Sequence, residues 1–107
     1  MKFALKVTAA AVTATALLAS AAAAETIRFV NRTGASIMYV YGTDSNQPTF
    51  GTDDLLQQYV FGPGQTWTWT VYNVTNCSYD FRFVFANGQY FDQYGVNVCN
   101  GATYNVN

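Results

Sequence analysis

The sequence predicts an all-β domain, a small antiparallel β-sandwich of six or seven strands with one disulfide. Three observations carry this. Thr66–Tyr72 and Tyr79–Phe85 alternate strictly, with Trp67, Trp69 and Val71 on one face of the first and aromatics at the odd positions of the second. A period of two built from β-branched and aromatic residues is the signal of a strand. Gly, Pro and Asn-Gly turns punctuate these runs, and no helical stripe or internal repeat interrupts them. Cys77 and Cys99 are the only cysteines, and an even count in an exported chain predicts one intramolecular bond.

Export is read from the first 24 residues. Met1–Lys6 is a basic start, Val7–Leu18 an alanine-rich apolar run, and Ala22-Ala23-Ala24 offers small residues for cleavage before Glu25. The apolar stretch is poor in large aliphatics for a transmembrane anchor, so no membrane insertion is expected after cleavage. Its composition points to a Gram-negative bacterium and a periplasmic or extracellular address. Residues 25–107 then form one domain. Three triplets, at Asn31, Asn73 and Asn76, match the glycosylation sequon; in a bacterial periplasm they read as turn residues.

Within the domain, Thr26–Asn31 reads as the first strand, Arg32-Thr33-Gly34 as a turn, and Ser36–Tyr41 as the second strand, pairing back onto the first. Gly42–Gln58 reads as a loop, with one helical turn at Thr52–Leu56 capped by Thr52. Phe61–Gln65 turns the chain into the tryptophan strand. Tyr79–Phe85 and Tyr90–Val98 form a hairpin about Asn87-Gly88, read as a two-residue type I′ turn. Thr103–Val106 adds a final short strand. In that hairpin Ala86 opposes Gln89, so Cys77 faces Val98 and Cys99 points to the opposite face. One extra residue in the returning strand restores the pair, and Gly95 is the natural bulge position. The bond closes a loop of roughly 23 residues, worth about 3 kcal/mol. A thiolate metal site would need four ligands, and the chain has two cysteines and no histidine.

Val30-Asn31-Arg32-Thr33-Gly34, Phe61-Gly62-Pro63-Gly64-Gln65, Cys77-Ser78-Tyr79-Asp80-Phe81-Arg82, Asn87-Gly88 and Gly95-Val96-Asn97-Val98-Cys99 together resemble a family of short secreted proteobacterial proteins. That resemblance covers nearly all of the mature chain and implies no activity. Phe29-Val30-Asn31 and Gly64-Gln65-Thr66-Trp67-Thr68 are locally similar to the opening strands of thaumatin-like proteins. This likeness implies a sandwich that begins with a hairpin of the first two strands; the dense cysteine set of that family is missing here.

Charge excludes several functions. Both lysines, Lys2 and Lys6, lie in the leader, so the mature chain keeps Arg28, Arg32 and Arg82 against six acids, a net charge of −3. Nucleic acid needs clustered cations, so none is expected as a partner. With no histidine, lysine or free thiol, acid–base, nucleophilic and metal-assisted catalysis lack their usual groups, and the chain reads as neither an enzyme nor a cofactor or metal protein. Asp44, Asn46, Asp53 and Asp54 offer oxygen ligands of the kind calcium takes, but without EF-hand spacing, and they read as turn formers. Asp80 and Arg82, two apart on the face opposite Tyr79, Phe81 and Phe83, read as an ion pair on a strand, or as an anion or partner contact through Arg82.

Aromatics remain. The mature chain has eight Tyr, seven Phe and two Trp, more than one side of each strand can bury. Exposed Tyr and Trp beside Asn, Gln and Thr make uncharged adhesive surfaces. The expected function is therefore non-catalytic association with a protein partner or with copies of itself, through Tyr72, Tyr90, Tyr94 and a strand edge that no lysine guards. The alternative is a small carbohydrate-binding module with Trp67, Trp69 and the tyrosines as its platform.

Overall fold

The computed structural model describes residues 24–107; the leader reading falls on residues outside these. The described residues are all-β, with two three-stranded sheets of order β3-β1-β6 and β2-β4-β5. The strands are β1 (Glu25–Asn31), β2 (Ile37–Asp44), β3 (Thr66–Val71), β4 (Ser78–Phe85), β5 (Tyr90–Asn97) and β6 (Thr103–Val106). Among the described residues, no helix is long and apolar enough to cross a membrane.

Alternation sorts the side chains. Ile27, Phe29, Trp67, Trp69 and Val106 from one sheet meet Ile37, Val40, Phe81, Phe83 and Val96 from the other. Phe29 lies at the centre, stacked on Trp67 at 5.1 Å and edge-on to Phe81 at 5.1 Å. Aromatic packing of this kind adds to plain area burial. The outer face of the first sheet is instead polar, with Thr26, Thr66, Thr68, Thr70 and Thr103 all exposed.

Two pairings differ from the sequence expectation. β1 and β2 do not form a hairpin: β1 pairs antiparallel with β3 and parallel with β6, while β2 pairs with β4. The cause is Asn31, fully buried at the end of β1. Its Nδ2 donates to the carbonyls of Ala35 (2.8 Å) and Phe61 (2.9 Å), and its Oδ1 accepts from Thr33 N–H (2.9 Å) and Oγ1 (2.7 Å). These bonds fold the 31–35 segment into a corner that carries the chain across to the other sheet.

The β4–β5 turn also differs. Gly88 N–H donates to Phe85 C=O (3.0 Å) and Phe85 N–H to Gln89 C=O (2.8 Å), so the loop has three residues, Ala86–Gly88. Only Gly88 takes positive φ, at 88°; a type I turn closed by a left-handed glycine needs no more. The bulge falls where expected: the register shifts so that Tyr94 and Gly95 together oppose Asp80, with Gly95 at φ 67°. The two register changes cancel, and Val98 N–H still bonds Cys77 C=O (2.9 Å). Cys99 comes back beyond the ladder, where its N–H bonds Asn97 Oδ1 (3.0 Å). The Cys77–Cys99 disulfide forms there, with 5.5 Å between Cα atoms.

The 45–65 connection runs along the free edge of β2. Leu55 N–H donates to Val40 C=O (2.8 Å), Val40 N–H to Asp54 Oδ1 (3.1 Å), and Ile37 and Phe61 exchange backbone bonds. The turn at residues 55–58 is capped by Asp54, not Thr52: Asp54 Oδ1 also accepts from Leu56 N–H (3.0 Å).

Candidate functional site

The aromatic surface gathers on the outer face of β2-β4-β5, and a second bulge puts it there. Between Ile37 and Tyr39 the β2–β4 register slips by one residue. Without the slip, Tyr39 and Tyr41 would share the inward phase of Ile37. With it, Val40 turns inward and is fully buried, while Tyr39 is 47% exposed. A one-residue shift exchanges the faces of every residue beyond it. Tyr39 and Tyr41 then stack on the outside with ring centroids 6.4 Å apart.

Arg82 lies at the middle of this face, directly across from Asp92. Its Nε donates to Asp92 Oδ1 (2.7 Å) and its Nη2 to Oδ2 (3.0 Å). The guanidinium sits between two rings, 4.0 Å from the Tyr90 centroid and 4.8 Å from that of Phe50. Phe50 in turn touches Tyr94, centroids 5.9 Å apart, and the Tyr94 hydroxyl donates to Asp92 Oδ2 (3.4 Å). A two-point bond and two ring contacts hold the arginine in one geometry. The guanidinium N–H donors keep the Asp92 carboxyl below its usual range, and the same bond raises Arg82. Beside Arg82 runs an open groove of about 600 Å³, lined by Tyr41, Arg82 and the Pro48–Thr52 segment.

Among the residues expected from the sequence, Tyr90, Tyr94 and Arg82 come together here. Tyr72 does not; it follows β3 in the other sheet, 70% exposed. Trp67 and Trp69 are half-buried and face the core, Trp67 against Phe29 and Phe61, Trp69 edge-on to Phe81 (5.7 Å) and Tyr79 (5.8 Å). Arg82 pairs with Asp92 across the strands, not with Asp80 along its own. Residues two apart on a strand are some 6.7 Å apart, and direct cross-strand neighbours are closer. Asp80 accepts instead from Ser45 Oγ (2.7 Å) and from the bulge N–H of Gly95 (2.9 Å). Asp44 and Asp54 serve as acceptors for the chain itself: Asp54 takes the N–H groups of Val40 and Leu56, and Asp44 Oδ1 takes the Asn46 N–H (2.8 Å) and Asn76 Nδ2 (2.9 Å), which lower its pKa.

Sequence reasoning missed Tyr39, Tyr41, Phe50 and Asp92. Phe50 lies in a loop without periodicity. The outward position of the other two rings depends on the bulge at Met38, which no glycine marks. No family profile, curated protein or solved structure matches the chain.

Proposed function

We propose that this is an exported, non-catalytic interaction protein of the periplasm or cell exterior, binding a protein partner through the tyrosine face of β2-β4-β5. One observation carries the reading: Phe50 and Tyr90 pack on an arginine already fixed by Asp92, and Tyr94, Tyr41 and Tyr39 extend the same face. Tyr and Arg dominate the energetic centres of protein interfaces. Rings that pack on one another before binding lose little freedom on binding, which lowers its entropic cost. The carbohydrate reading is weaker, because both tryptophans of its proposed platform pack against the core.

The test is binding of the partner isolated from the host envelope. Tyr90→Ala with Tyr94→Ala should weaken it by about tenfold or more, the range of a hot-spot truncation, with an unchanged melting temperature. Retention of full affinity by that variant overturns the reading. A glycan array in parallel shows whether sugar, and not protein, binds the same face.

A further inference from the structure

The sandwich has four sheet edges, and they differ in what protects them. β2 is sealed by Asp54, Leu55 and Phe61. β5 is broken by the Tyr94–Gly95 bulge, and β6 is four residues long. Bulges and short strands are ordinary defences against edge pairing. β3 has none. Its six residues, Thr66-Trp67-Thr68-Trp69-Thr70-Val71, contain no charge, proline or glycine and pair with β1 in unbroken register.

The ladder fixes which backbone groups are free. Arg28 N–H bonds Ala102 C=O toward β6, and Asn31 N–H bonds Gln65 C=O toward β3. Odd residues of β1 therefore face β3, and their register partners Trp67, Trp69 and Val71 face back. The N–H and C=O groups of Thr66, Thr68 and Thr70 point away from β1, and none meets another segment among the described residues. All three threonines are exposed.

We infer that β3 pairs antiparallel with β3 of a second copy, about a two-fold axis at Thr68. The run Thr66–Thr70 reads the same in both directions, so this register is self-complementary. Thr68 meets the partner's Thr68, and Thr66 meets the partner's Thr70. Each such pair exchanges two backbone bonds, about six in all. Trp67 then lies opposite the partner's Trp69, at the closer, non-hydrogen-bonded positions, which covers the ring surface that the core leaves exposed. Tyr72 comes alongside the partner's Pro63 and Gly64. Cross-strand Thr–Thr and aromatic pairs favour this arrangement, and no charged residue lies on either edge. The contact is isologous, so it closes as a dimer and does not propagate into fibres. It leaves both tyrosine faces open and is independent of the function proposed for them.

The test uses the property that residue 68 pairs with itself. Sedimentation of the exported protein should give a concentration-dependent dimer. Thr68→Lys places like charges opposite one another, beside Arg28 of each chain, and should weaken it by about tenfold or more; Thr68→Glu, partly neutralised by Arg28 across the β1–β3 ladder, should weaken it less. Mixed one to one, the two variants should recover a heterodimer at least as strong as the wild-type dimer. Both substitutions sit on an exposed face, and circular dichroism checks that both variants fold. Tyr90→Ala with Tyr94→Ala should leave the dimer intact, which separates this inference from the partner-binding one. A wild-type chain that stays monomeric up to millimolar concentration overturns the inference. So do variants that dimerise as the wild type does, or a mixture that fails to recover.

Discussion

Asn31→Asp should destabilise the fold more than Asn31→Ala, though aspartate is nearly the same shape. The Asn31 side chain makes four hydrogen bonds from a fully buried position. Alanine removes all four but orphans no deeply buried group. Phe61 C=O still accepts from Ile37 N–H (2.9 Å), and Ala35 C=O lies at an exposed residue. At about 0.5–1.5 kcal/mol net for each bond, the loss is about 2–6 kcal/mol. Aspartate keeps the Thr33 bonds but sets a carboxylate oxygen against two carbonyls, leaving a buried charge without a counter-charge. Such a group costs about 3–5 kcal/mol, added to the loss of two donors. A domain of this size holds about 4–12 kcal/mol in total, so Asn31→Asp should lose most of its stability at neutral pH. Burial raises the folded pKa of the new carboxyl. Its penalty is therefore smallest below the unfolded value of about 3.9 and grows as pH rises through the folded value. Urea unfolding followed by tryptophan fluorescence reads this directly, since Trp67 stacks on Phe29 in the same strand as Asn31. Equal stability of Asn31→Asp and wild type at pH 7, or a larger loss for alanine than for aspartate, refutes the reasoning.

Reducing Cys77–Cys99, or replacing both with serine, should lower the unfolding free energy by about 3 kcal/mol, read as a shift of the urea midpoint. Gly42→Ala should cost about 1–3 kcal/mol, because the added Cβ would overlap the ring of fully buried Phe81; thermal melting measures it. Asp92 is held below its usual pKa by Arg82, so the stability it contributes is complete above about pH 4 and is lost as pH falls through the depressed value. Asp92→Asn should flatten part of the acid slope of stability, and Asp44, lowered by Asn46 and Asn76, should keep the remainder.

Much of the fold is legible where side chains alternate without interruption. Thr66–Val71 and Tyr79–Phe85 announce β3 and β4, and Thr103–Val106 reads as a final short strand. Gly95 marked its bulge because only glycine takes positive φ freely. Partner choice was less legible, since β1 and β2 are adjacent in sequence and separated by a short turn-like segment. The hydrogen bonds of buried Asn31 send them to different sheets, and a buried asparagine looks like any turn residue in a sequence. The candidate site was partly legible for the same reason. Tyr90 and Tyr94 follow the phase of β5 up to its bulge, whereas Tyr39 and Tyr41 depend on the slip at Met38. Trp67 and Trp69 show the reverse: their alternation is plain, but it does not say which face is core.

The most direct measurement is photo-crosslinking in the native host from a photoreactive phenylalanine analogue placed at position 94, with position 26, on the threonine face of the other sheet, as the control. A protein adduct from position 94 that is absent from position 26, and lost when Arg82→Ala is added, is the predicted result. No protein adduct from position 94, or the same adducts from both positions, contradicts the claim that the tyrosine face is the binding surface.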